Sequence, residues 1–284
     1  MKVLFCTDGS KISFDGLKNF AAWSKEGIVD VISVIDWSFL PDNVVVESDG
    51  FSARCANVAD DILDYAKIQV EACGLLFGEK LKQCGSVVES ILEQAEIGKY
   101  DLILLGSHGK KGLQQWLGSV SREIAYGENL STYISKNETK GERILFTTDG
   151  SENADYAVEK ALEFFNLENK KIYICTVNED ADVLFLDGKV DSNWILEIER
   201  RQEIYSQSTL QKLEKLFKCK GFDVQNSAIL TGNPSKKIID YAFSQEIDLI
   251  VSGSRSKTKM KDFLLGSVSK KILENAKCDV VIFK

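Results

Sequence analysis

The segment "DLILLGSHGKKGLQQWLGSVS" (residues 101–121) opens on an apolar run, crosses a glycine-rich loop and closes on Gly-Ser-Val-Ser. It returns as "DLIVSGSRSKTKMKDFLLGSVS" (residues 248–269). Each apolar run is short and β-branched or leucine-rich, as a buried strand is, and the closing serines suit the start of a helix. A strand that runs through a loop into a helix is the building unit of a parallel α/β sheet. Two more segments repeat in the same order: "KVLFCTDGS" (2–10) as "RILFTTDGS" (143–151), and "GSVSREI" (118–124) as "GSVSKKI" (266–272). Two copies of one domain therefore meet at "KNETKG" (136–141), the only fully polar connector, which predicts domains at residues 1–138 and 139–284.

Within each copy, strand-like runs alternate with helical periodicity. Strands are predicted at 3–7, 29–35, 102–105 and 130–135, and again at 144–148, 172–177, 249–252 and 279–284. Ala154, Ala157, Val158, Ala161, Leu162 and Phe165 form one apolar helix face, as do Val88, Ile91, Leu92 and Ala95, and Val268, Ile272, Leu273 and Ala276. Residues 36–60 and 178–194 are poorly periodic and read as loops before a long helix. The expected fold class is α/β, with two tandem doubly wound domains of five parallel strands each in the order β-α-β-α-β-α-β-α-β.

Composition narrows the function classes. A net charge of −8 and a pI near 5.0 argue against a nucleic-acid partner, whose phosphates call for clustered Lys and Arg. No apolar run approaches the ~20 residues that cross a bilayer, and the opening "MKVLFCTDGS" is too short an apolar run for a secretion signal, so a cytoplasmic protein with no membrane partner is expected. The seven cysteines (Cys6, Cys55, Cys73, Cys84, Cys175, Cys219 and Cys278) contain no C-x-x-C pair and read as reduced apolar side chains. With a single histidine, His108, a His-rich metal site is excluded, and so are most histidine-based mechanisms.

Ligands of open parallel sheets sit outside the carboxyl ends of the strands, where successive connections diverge. Both repeated motifs fall there. Glycine lets the backbone approach a ligand and reach positive φ, and successive N–H groups at a helix start attract anions, so the loop suits phosphate. Ser119 and Ser267 are candidates for phosphate contact or for capping; Ser121 and Ser269 read rather as capping or exposed residues. Asp8 and Asp149 suit a ribose hydroxyl or Mg²⁺ held through water, and equally a turn aspartate bonded to its own backbone. Lys110, Lys111, Lys257, Lys259 and Lys261 bring positive charge to the loops or are plain solvated surface, and His108 matches Arg255 in the repeat.

These residues resemble the universal stress protein family in its tandem two-domain form. Nucleotide-binding members of that family carry G-x2-G-x9-G-[S/T] after the fourth strand and an aspartate after the first. The resemblance implies a Rossmann-like fold of the adenine-nucleotide alpha hydrolase type, binding of ATP, ADP or AMP with or without Mg²⁺, and domains paired through their last strands as an intrachain pseudo-dimer. It carries the nucleotide contacts onto Asp8, Val34, Gly106, Gly109, Gly118 and Ser119 in the first copy. In the second they fall on Asp149, Val177, Gly253, Ser256, Gly266 and Ser267. From the residues alone, Val34 and Val177 read as buried strand positions; by the resemblance their backbone groups face the adenine. Eight residues separate Gly109 from Gly118, one too few, whereas nine separate Ser256 from Gly266 but Ser256 replaces the second glycine. A serine at positive φ costs ~1 kcal/mol or more, while a deleted residue shifts the whole cradle, which favours the second copy.

The function expected is that of an adenine-nucleotide-binding regulatory protein of the stress response, with nucleotide state controlling conformation or partner binding. The alternatives are a slow ATPase and an interaction module that has lost its nucleotide. Against an enzyme stand the absence of a G-x-x-x-x-G-K-[S/T] loop and of any acid–base pair beyond lone aspartates. A homodimer is compatible with this reading.

Overall fold

The structure, a computed structural model, describes residues 1–36, 49–107, 117–127, 130–180, 192–254 and 265–284. It divides into two compact units, Met1–Glu138 and Thr139–Lys284. In the first, the order is β1 (Lys2–Cys6), α1 (Lys11–Ala21), β2 (Ile28–Ile35), α2 (Asp49–Ala72), β3 (Leu76–Cys84), α3 (Val87–Gly98), β4 (Leu102–Gly106), α4 (Ser119–Tyr126) and β5 (Thr132–Ser135). The strands pair in parallel in the order β3-β2-β1-β4-β5. Val3, Leu4 and Phe5 of β1 are all buried, because helices cover both faces of a parallel sheet: α1 and α2 pack on one, α3 and α4 on the other. Helix α1 starts where the Ser10 side chain accepts the Ser13 N–H, and it buries Phe14, Leu17 and Phe20. The Phe14 ring meets Phe5 and Tyr65 edge-on, and Phe20 meets Tyr133 in the same way.

The second unit repeats the plan with β6 (Arg143–Thr147), α5 (Glu152–Phe164), β7 (Lys171–Asn178), α6 (Ser192–Cys219), β8 (Val224–Thr231), α7 (Pro234–Ser244), β9 (Leu249–Gly253), α8 (Ser267–Asn275) and β10 (Asp279–Phe283). Its order is β8-β7-β6-β9-β10, again parallel throughout. Ser151 caps α5, and Asn233 caps α7 with Pro234 in the first turn. The expected face of α5 is buried at Ala154, Ala157, Val158 and Ala161, but Leu162 is only half-buried and Phe164 is buried instead. The helix ends there: Phe165 turns extended (φ −108, ψ 140), and both phenyl rings close on Phe283.

The two expected loops are shorter than the sequence indicates. Helix α2 begins at Asp49 and α6 at Ser192, while Asn178 belongs to β7. The sequence count of five strands per domain stands, yet β3 and β8 have no place in the sequence reading. Both are edge strands with half-exposed residues, so neither shows a continuous apolar run. Among the described residues no helix is long and apolar enough to cross a membrane, and no cluster of three or more His, Cys, Asp or Glu side chains could hold a metal ion.

Candidate functional site

After β1 the chain moves to β2 on one side, and after β4 it moves to β5 on the other. The two connections diverge and leave a crevice at the carboxyl ends of β1 and β4. That crevice has a volume of about 270 Å³ and is lined by Thr7, Asp8, Val34, Asp36, Gly106 and Ser121, among others. The corresponding crevice between β6 and β9 is larger, about 370 Å³, and is lined by Thr148, Asp149, Val177, Glu179, Gly253 and Ser267, among others. Asp8, Val34 and Gly106 thus come together in one unit, and Asp149, Val177, Gly253, Gly266 and Ser267 in the other. Val34 and Val177 are half-exposed at these mouths rather than buried. His108, Gly109, Lys110, Lys111, Arg255, Ser256, Lys257, Lys259 and Lys261 lie outside the described residues, as does the side chain of Cys55.

The Thr-Asp-Gly-Ser turns are bonded within themselves. Thr7 Oγ1 accepts the Gly9 N–H and Asp8 Oδ1 accepts the Ser10 N–H, both at 3.0 Å. Thr148 and Asp149 make the same two bonds to Gly150 and Ser151, also at 3.0 Å. Each aspartate is therefore a turn residue whose carboxylate also borders the crevice. Positive φ is required in these turns, at Gly9 (+76) and Gly150 (+72). Gly118 and Gly266, at the ends of the glycine-rich loops, have φ −58. Gly253 is small for another reason: a Cβ there would lie 2.6 Å from the Asn153 carbonyl oxygen, whereas at Gly106 the nearest atom, Ile12 Cγ2, is 3.4 Å away.

At the other wall, Gly118 and Gly266 are the N-caps of α4 and α8, and no side chain caps either helix. Ser119 and Ser267 are the first helical residues and are exposed, so neither is a cap. Ser121 and Ser269, expected as caps or exposed residues, are buried. Their hydroxyls donate to the Gly106 and Gly253 carbonyls at 2.7 Å. The Gly118 and Gly266 N–H groups donate to Ser107 and Ser254 at 2.7 Å, which ties each helix start to its strand end. The first amides of a helix have no intrahelical acceptor and carry the positive end of its dipole, so each crevice has one wall suited to an anion.

Sequence reasoning missed several lining residues. Asp36 and Glu179 are the first residues after β2 and β7 and add a second carboxylate to each mouth. Their signal was positional, an acid directly past a strand's carboxyl end. Cys6, on the floor of the first crevice, is held protonated by burial, which pushes its thiol well above the ordinary range. Burial also pushes the Cys175 thiol up, to about 12.

Two doubly wound domains in tandem, each with a crevice at its strand-order reversal, define a class of tandem α/β repeat. The profile of the Universal stress protein family matches residues 1–127 and 141–284, and the chain belongs to that family. A universal stress protein of Methanocaldococcus jannaschii is 31% identical over 159 residues, covering 55% of this chain and 89% of its own length. One from Synechocystis is 22% identical and spans 99% of both chains, so it shares the tandem form. The crystal structure of a universal stress protein from Archaeoglobus fulgidus covers 100% of this chain and 98% of its own with a TM-score of 0.72 at 22% identity, which shows a common fold.

Proposed function

We propose that the protein binds an adenine nucleotide, and that nucleotide state sets its conformation or its affinity for a partner in the response to stress. The second crevice carries the reading. Asp149, the amino terminus of α8 at Gly266 and Ser267 and the end of β7 at Val177 all line this one crevice. Phosphate suits the helix start, a ribose hydroxyl suits Asp149, and the flat base suits the backbone and side chain of Val177. Asp149 also fits a water of phosphate-bound Mg²⁺. At about 370 Å³ this crevice falls within the ~300–1,000 Å³ of small-ligand pockets, and the first, at about 270 Å³, falls below it. Asp8, Val34 and Gly106 make the first crevice the weaker site of the same kind, with Gly118 and Ser119 at the start of α4 beside it.

The test is to denature purified, undialysed protein and identify any released small molecule by chromatography and mass spectrometry, then to titrate ATP with Mg²⁺ calorimetrically. Asp149→Asn keeps the turn acceptor and removes the charge, so nucleotide affinity is expected to fall about tenfold with little change in melting temperature. A wild-type chain that releases no nucleotide and shows no thermal shift with ATP and Mg²⁺ sinks the reading, because a ligand specific for the native state must raise the transition.

A further inference from the structure

Thr7 and Thr148 hold the same place in the two units, and each accepts a glycine N–H across its turn at 3.0 Å. The difference lies in the partner of the hydroxyl hydrogen. In the first unit Ser13 lies 2.7 Å from Thr7, oxygen to oxygen, and Ser13 Oγ donates its own hydrogen to the Ser10 carbonyl at 2.8 Å. Ser13 is thus the acceptor, and the Thr7 hydrogen is committed to it. In the second unit the third residue after the cap Ser151 is Ala154, which has no oxygen to offer. Thr148 is 8% exposed and lines the crevice, and among the described residues no acceptor meets its hydrogen. The neighbouring hydroxyls of Thr147 and Ser269 donate to main-chain carbonyls, at Val251 (3.2 Å) and Gly253 (2.7 Å).

We infer that Thr148 is a ligand-contacting donor of the second crevice, and that the residue at the third position of the following helix, Ala154 against Ser13, decides whether this threonine is available. A hydroxyl that lines the crevice and has no internal acceptor can give its hydrogen to whatever enters, and a phosphate or ribose oxygen is the acceptor a nucleotide would bring. Thr7, held by Ser13, supplies no such donor. This inference rests on the nucleotide reading of the crevice and adds a selection rule between the two copies.

The test uses the full chain and calorimetric titration with ATP and Mg²⁺. Ala154→Ser reproduces the first unit's arrangement and gives Thr148 an internal acceptor while leaving the Gly150 bond in place. Affinity at the tighter site is expected to fall roughly fivefold, the worth of one neutral hydrogen bond. Thr148→Ser, which keeps the donor, should stay within about twofold of wild type, a distinction that a purely structural threonine would not make. Ser13→Ala frees Thr7 and should tighten the weaker site by a similar factor, and it provides a readout should Ala154→Ser fail to fold. ATP binding by the wild type with unchanged affinities in Ala154→Ser and Ser13→Ala overturns the inference and leaves the nucleotide reading intact. Absence of ATP binding by the wild-type chain overturns both.

Discussion

Besides Ser13 and Ala154, several paired positions of the two crevices carry different side chains. Cys6, Val87 and Leu105 line the first; Thr147, Pro234 and Ser252, which hold the same places at the ends of β6 and β9 and the start of α7, line the second. Three of the bonds that shape the crevices recur in both units. Asp8 and Asp149 close matching turns, Ser10 and Ser151 cap the corresponding helices, and Ser121 and Ser269 clasp the corresponding carbonyls. The backbone of this site is thus specified by a small set of self-bonded residues, and the chemistry of its floor varies independently of them.

The largest expected contrast is at the strand-end glycine. Gly253→Ala drives a Cβ into the Asn153 carbonyl, against backbone that cannot swing aside, and should destabilise its unit by about 2–3 kcal/mol. Gly106→Ala meets only ordinary contacts, so urea unfolding should separate the two variants clearly, and equal losses would break the comparison. Next come the buried serines. Ser121→Ala and Ser269→Ala each remove a 2.7 Å hydrogen bond to a strand-end carbonyl and each should cost about 1 kcal/mol, Ser269→Ala slightly more because its hydroxyl also meets Ser252 at 3.5 Å, a ranking that thermal melts can check. The smallest effect is expected for Cys6→Thr. In the second unit the Thr147 hydroxyl donates to Val251, and the matching carbonyl in the first is that of Leu104, so stability should change by less than about 1 kcal/mol. A larger loss would mean that the first crevice is shaped for an apolar floor.

Much of this was legible in the chain because it is local. The central strands announce themselves by apolar runs, since covering a parallel sheet on both faces buries every residue, as at Val3, Leu4 and Phe5. Edge strands β3 and β8 do not, because half of each faces outward; "LFGEKLKQC" carries Lys80 and Lys82, which pair with Asp64 and Asp60 of α2. The turn aspartates and Val34 and Val177 could be placed at the crevice from motif and resemblance. The role of Ser121 and Ser269 could not be foreseen, since a serine two residues past a glycine N-cap gives no local sign that a strand end is within its reach.

The sequence by itself determined that this is a doubled α/β chain of the universal stress protein family, with candidate crevices after the first and fourth strand of each copy, because repeats, periodicity and turn chemistry act over a few residues. Only the tertiary structure decided which threonine has an acceptor for its hydrogen, which glycine is small because another backbone presses on it, and which crevice is the roomier. Those properties belong to pairs of groups far apart in the chain, such as Gly253 beside Asn153 and Thr147 beside Val251, and only folding sets the distance between them.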